Sequence, residues 1–164
     1  MQRRIIKSIF LFLSLFLVNK VCVAQEINPD VLYKIVSPSG LVIDNKESKE
    51  DNARLYLAKD IKNNKGQLWK FTPLSNGYYL ITNPYGEMSI DNGNIGGGNG
   101  NLLLQWGESR GNQNQHWKFT VTGTGAYQIT QRASGMSLAF GGEDSAGTML
   151  SQLPNSSQLW RLVE

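Results

Sequence analysis

From about residue 31 onward the apolar positions come in short bursts that alternate with polar ones. Tyr33-Lys34-Ile35, Leu41-Val42-Ile43-Asp44, Leu55-Tyr56-Leu57 and Trp69-Lys70-Phe71 are the first four. Alternation of this kind predicts strands with one face buried. Gly, Asn, Ser and Pro clusters between the bursts predict tight turns. No stretch keeps a helical period for more than a turn or two. The body therefore reads as all-β.

The bursts repeat as a set. Gln-x-Trp occurs three times, at Gln67-Leu68-Trp69, Gln115-His116-Trp117 and Gln158-Leu159-Trp160, so the tryptophans are 48 and 43 residues apart. An aromatic-x-Ile opens each unit: Tyr33-Lys34-Ile35, Tyr79-Leu80-Ile81 and Tyr127-Gln128-Ile129. A glycine follows in each, Gly40, Gly86 and Gly135, and then Leu41-Val42-Ile43-Asp44, Met88-Ser89-Ile90-Asp91 or Met136-Ser137-Leu138-Ala139. The next apolar runs align as Leu55-Tyr56-Leu57, Leu102-Leu103-Leu104 and Thr148-Met149-Leu150. Recurrence at this period marks a repeat architecture, with units of about 31–77, 78–125 and 126–164. Four short strands per unit cannot bury their faces alone. Twelve of them must close around one shared core, which also removes exposed sheet edges. Trp69, Trp117 and Trp160, recurring once per unit, are expected in that core.

Three units of this size, each ending in Gln-x-Trp, resemble the ricin B-type lectin domain, a β-trefoil. The resemblance covers nearly all of residues 31–164. It implies a non-catalytic carbohydrate-binding module with a shallow pocket in each unit. In such a pocket an Asp after the second strand accepts from sugar hydroxyls, and an aromatic after the third strand stacks on the sugar ring. An Asn beside the Gln of Gln-x-Trp adds hydrogen bonds. The second unit matches best, with Asp91, Trp106, Asn114 and Gln115. A Gln that many family members carry two before the aromatic is Leu104 here, with Gln105 next to it. The first unit is partial: Asp44 is present, Tyr56 and Ala58 lie near the stacking position, and Gly66 precedes Gln67. Asp44 is thus a weaker candidate. In the third unit Ala139 replaces the Asp and no aromatic lies between Met149 and Gln158, so a role in completing the fold suffices.

Plainer readings stand beside these. Asp91-Asn92-Gly93 is also ordinary turn chemistry. Trp106, followed by Gly-Glu-Ser, is either an exposed stacking platform or a core residue. His116 alternates with the core Trp117, which predicts an exposed strand position. The Gly- and Asn-rich stretch 92–101 lacks the Gly-Lys-Ser/Thr ending of a phosphate loop and reads as a surface turn. A rival from another class is a protein-interaction trefoil, an inhibitor or adhesion module acting through loops. Convergence of Asp91, Trp106 and Asn114 on one concave surface separates the two.

The first 24 residues follow a different pattern. A basic start at Arg3, Arg4 and Lys7 precedes the apolar run from Ile9 to Val18, and Cys22-Val23-Ala24 ends on a small residue. This is the layout of a secretory signal peptide, with residues 25–164 as the mature chain. The apolar run is about half the ~20 residues a membrane-spanning helix needs. Two alternatives are a retained anchor and lipid attachment at Cys22; a membrane partner follows only from the latter. Export places the protein outside the cell, in the periplasm or at the cell surface.

The segment also changes the charge picture. The chain holds 16 Lys and Arg against 13 Asp and Glu, net +3, but Arg3, Arg4, Lys7 and Lys20 all lie in it, and no acid does. The mature chain is close to neutral, which disfavours a nucleic-acid partner. A glycan or polysaccharide is the partner implied by the resemblance. With one cysteine and one histidine, the chain offers no disulfide framework and no Cys- or His-pair metal site, and no cofactor is called for. No spacing argues for a nucleophile–base pair or a carboxylate dyad. The oligomeric state and the sugar are open at this level. Mass spectrometry of protein from its native host should find a chain beginning within about two residues of Gln25; a full-length chain would favour the anchor.

Overall fold

The computed structural model describes residues 26–93 and 101–164. The predicted signal peptide and residues 94–100 of the Gly-rich stretch lie outside the described residues. Twelve strands form, four per unit, as the alternation predicts. They are β1 (Leu32–Val36), β2 (Val42–Asp44), β3 (Tyr56–Ala58), β4 (Trp69–Pro73), β5 (Tyr78–Asn83), β6 (Met88–Asp91), β7 (Leu104–Gly107), β8 (Trp117–Val121), β9 (Tyr127–Gln131), β10 (Ser137–Phe140), β11 (Leu150–Leu153) and β12 (Arg161–Val163).

Six of them close a barrel. Antiparallel pairing runs β1–β4, β4–β5, β5–β8 and β8–β9, a bridge joins Tyr127 to Trp160 at the start of β12, and β12 pairs back on β1. The hairpins β2–β3, β6–β7 and β10–β11 cover one end. Bridges Tyr56–Met149, Leu104–Arg54 and Ser151–Leu102 link the three hairpins in a ring. This is a β-trefoil with pseudo-threefold symmetry.

The core is built in layers of three, one residue per unit. Ile35, Ile81 and Ile129 form one; Ile43, Ile90 and Leu138 another; Leu55, Leu103 and Leu150 a third, all fully buried. Trp69, Trp117 and Trp160 are also at 0% exposure. Each indole Nε1–H donates to a hairpin carbonyl: Trp69 to Ile43 at 3.1 Å, Trp117 to Ile90 at 2.9 Å, Trp160 to Leu138 at 3.0 Å. Phe71 and Phe119 pack edge-on against Tyr33, Tyr79 and Tyr127 at the other end of the barrel. Burial pushes the Tyr127 phenol above its ordinary value, and the neighbouring Tyr33 and Tyr79 add to it.

The register corrects one alignment. Asp44 faces Tyr56, Asp91 faces Leu104 and Ala139 faces Ser151. Leu55, Leu103 and Leu150 are therefore equivalent, and the three apolar runs are offset by one residue from each unit to the next. The connections within the hairpins differ in length, and consecutive apolar residues hide the phase. His116 is a second correction. It is buried just before β8, its ring held between the Arg110 backbone carbonyl and the Arg132 guanidinium. Arg132 Nη1 lies 3.2 Å from Nδ1 and the Arg110 carbonyl 2.9 Å from Nε2. Arginine can only donate, so the Nε2 hydrogen goes to the carbonyl.

Truncating Trp69, Trp117 or Trp160 to Ala removes a buried ring and orphans a carbonyl. Each should cost ~3–5 kcal/mol, a large part of the ~5–15 kcal/mol that holds a domain together. Denaturant unfolding of the three variants measures this, and similar losses are expected at all three sites.

Candidate functional site

The second hairpin carries the candidate site. On a strand, alternate residues share a face, so Leu104 and Trp106 of β7 point the same way, and Asp91 of β6 faces Leu104 across the pair. Together with Asn52, Gly93, Asn112 and Asn114 they line a pocket of about 410 Å³. Asp91, Trp106 and Asn114 thus converge on one concavity. Leu104 is buried, while the Trp106 indole is 45% exposed, leaving an aromatic face open to solvent.

Asp91 is 4% exposed and held from two sides. Its Oδ1 accepts from Gly93 N at 2.7 Å, and its Oδ2 accepts from Asn112 Nδ2 at 3.1 Å. The first bond is the turn expected of Asp91-Asn92-Gly93; Gly93 takes φ 76°, which favours glycine. The turn reading and the site reading therefore describe one carboxylate. Each oxygen keeps a further lone pair for a ligand. Among the described lining residues Asp91 is the one formal charge, and residues 94–100 add none to the sequence.

Asn112 is the residue that the sequence reading missed. Its Oδ1 caps a single 3-10 turn at Gln113–Gln115 by accepting from Asn114 N, while its Nδ2 reaches Asp91. Asn64 does the same in the first unit, accepting from Gly66 N and donating to Asp44 Oδ2 at 3.3 Å. The signal was available as Asn-x-x-Gln-x-Trp, which begins at Asn64, Asn112 and Asn155. Asn114 does line the pocket, beside Asn112. Gln115 is fully buried: its Nε2 donates to the Gly107 carbonyl and its Oε1 accepts from Ser109 N. It braces the segment after Trp106 from inside.

Gln105 faces away from the pocket. It clamps a segment of the first unit, donating to the carbonyls of Ser48 at 3.1 Å and Glu50 at 2.9 Å and accepting from Asn45 Nδ2 at 2.8 Å. Its carbonyl accepts from Asn52 N at 2.9 Å. That clamp brings Asn52 to the second unit's pocket, a contact between units that no motif announces.

The first unit is built differently. Register places Ala58 where Trp106 stands in the second, and Tyr56 where Leu104 stands. The Lys46 ammonium sits 3.7 Å from the Tyr56 ring centroid. Asp44 accepts from Gln67 Nε2 at 2.9 Å as well as from Asn64 and from Lys46 N. Gly66 occupies the place of Asn114, and a Cβ there would meet Glu47 N at 2.6 Å and Asp44 Oδ1 at 2.8 Å. The turn at residues 44–47 fills the space that is open in the second unit. Among the described residues, no three His, Cys, Asp or Glu gather in a metal-holding group.

The family model for the ricin-type β-trefoil lectin domain-like family matches residues 23–106, 91–153 and 113–164. The chain belongs to this family. Among solved structures, the ricin-type chain is similar to ThreeFoil, a designed threefold-symmetric protein. The two share 29% identity over 81% of this chain and 98% of that one, with a TM-score of 0.76. It is equally similar to an exo-β-1,3-galactanase from Clostridium thermocellum, at 29% identity and TM-score 0.76, covering 85% of this chain and 31% of the enzyme. A Polyporus squamosus lectin, solved with the epitope Neu5Acα2-6Galβ1-4GlcNAc, shares the fold at 15% identity and TM-score 0.71, over 84% of this chain and 50% of that one. No curated protein matches the chain significantly.

Gly66→Ala should lower stability by ~1–3 kcal/mol, because backbone and buried carboxylate atoms must move to admit the methyl group. Gly111→Ala, with nothing within 4 Å of the new Cβ, should stay within about 0.5 kcal/mol of wild type. Urea unfolding midpoints compare the two.

Proposed function

We propose that this ricin-type chain is an exported, non-catalytic carbohydrate-binding module whose working sugar site is the pocket of the second unit. The observation that carries the reading is the meeting of Asp91, Trp106, Asn112 and Asn114 in one concavity. A carboxylate with free lone pairs accepts from vicinal hydroxyls. The exposed indole covers the C–H face of a sugar ring. Amides supply both donors and acceptors. A protein-interaction trefoil has no need for these side chains to share a concavity.

The charge pattern narrows the ligand to a neutral sugar. A uronic or sialic carboxylate would lie beside Asp91 with no cation among the described lining residues to offset it. Asp44 contributes no comparable site, since its carboxylate already holds three bonds within its own unit. One shallow pocket binds a monosaccharide weakly, at around millimolar Kd or about −4 kcal/mol, because every hydroxyl is exchanged for water. Useful affinity then comes from a larger glycan or from several copies presented together.

A glycan array probed with residues 25–164 identifies the ligand, and NMR titration tests the site. Asp91→Ala and Trp106→Ala should each abolish measurable binding while the fold survives. Asn112→Ala should weaken it by about tenfold, through a loosened Asp91. Asp44→Ala should leave the affinity unchanged. Wild-type binding in both the Asp91 and Trp106 variants would refute the assignment.

A further inference from the structure

The third unit lacks the sugar pattern, yet it holds a pocket of about 350 Å³, lined by Leu102, Gly141, Gly147, Thr148, Met149, Ser151 and Leu153. Register relates it to the second unit's pocket through Ser151 and Leu153, although Ala139 itself does not line it. Ala139 stands for Asp91, Ser151 for Leu104 and Leu153 for Trp106. Gly141 follows Ala139 as Gly93 follows Asp91. The chemistry is inverted. Among the described lining residues no side chain is charged, and Leu102, Met149 and Leu153 form apolar walls.

One polar atom in this lining is idle. Ser151 Oγ belongs to a residue 3% exposed and has no hydrogen-bond partner. A Cβ on Gly141 would lie 3.9 Å from it, an ordinary contact, so the hydroxyl lies close against the Gly141 backbone. The other hydroxyl in the lining is occupied: Thr148 Oγ1 donates to the Glu143 carbonyl at 3.0 Å and lies 3.1 Å from Ser145 Oγ. Gln152 Nε2 is unpaired too, but side chains alternate along β11, so it points away from the pocket. A buried hydroxyl without a partner is destabilising, and an atom that reaches it relieves the defect.

We propose that this third pocket binds a neutral hydrocarbon group carrying a single hydroxyl or carbonyl oxygen. The oxygen pairs with Ser151 Oγ, and the carbon surface packs on Leu102, Met149 and Leu153. A polyol is disfavoured, because only one of its hydroxyls would find a partner while the others lose water. The proposal does not depend on the sugar site in the second unit.

The test is an NMR titration of residues 25–164 with cyclohexanol and, separately, with myo-inositol, which has the same ring and six hydroxyls. Cyclohexanol should give saturable shifts at Met149, Ser151 and Leu153, and myo-inositol should give none there. Ser151→Ala should weaken cyclohexanol by about 3–10-fold, the worth of one neutral hydrogen bond, without lowering the unfolding midpoint. Leu153→Asp should abolish the shifts. If that variant fails to fold, the Ser151→Ala affinity still decides. No saturation by cyclohexanol, equal shifts from myo-inositol, or unchanged affinity in Ser151→Ala would overturn the proposal. Shifts at Asp91 and Trp106 report separately on the second unit.

Discussion

The structure hangs on three hydrogen bonds from buried indoles. An indole N–H in a dry core must find an acceptor, or it costs ~1–3 kcal/mol. Here the acceptors are the carbonyls of Ile43, Ile90 and Leu138. Each bond ties a barrel strand to a hairpin of its own unit, and each acceptor is the residue directly before the site position, Asp44, Asp91 or Ala139. The core anchor therefore also positions the carboxylate. The tryptophan thereby fixes the backbone of the residue next to the candidate site position.

From that shared frame the three units diverge through few residues. Gly66 and Ala58 go with a turn that closes over Asp44 in the first. Asn114 and Trp106 keep the second open, with a single carboxylate at its wall. Ala139, Ser151 and Leu153 leave the third open but apolar. The layers of Ile, Leu and Trp are untouched by these exchanges. Hairpin positions outside those layers can change chemistry while the core continues to specify one fold.

Most of the architecture was legible because it is written in period. Alternation gave the strands, and Gln-x-Trp gave the repeat and the core tryptophans. That Asp91, Trp106 and Asn114 share one concavity was legible through the family pattern. What was not legible depends on phase or on contacts between units. The run Leu102-Leu103-Leu104 is apolar at every position, so nothing in it marks Leu103 as the core residue. Asn112 is hidden by its neighbour Asn114, which fits the family pattern, although the spacing of Asn112 from the tryptophan recurs at Asn64 and Asn155. His116 alternates correctly with Trp117, but alternation says nothing of the Arg110 carbonyl and the Arg132 guanidinium that meet its ring. Asn52 reaches the second pocket only because Gln105 holds its segment there.

These contacts mean that the units do not act alone. Asn83 on β5 donates to the carbonyls of Lys65 and Leu68, and Gln131 on β9 donates to that of Gln113. Each polar side chain thus braces the turn before the tryptophan of the preceding unit. Through Gln113, the third unit steadies the turn that Asn112 caps, and Asn112 holds Asp91. Gln105 meanwhile recruits Asn52 from the first unit. The second pocket is therefore assembled by all three units. A repeat excised from this chain would keep its motif and lose its pocket, since a buried amide deprived of partners is costly and the pocket walls it orders would be free to move.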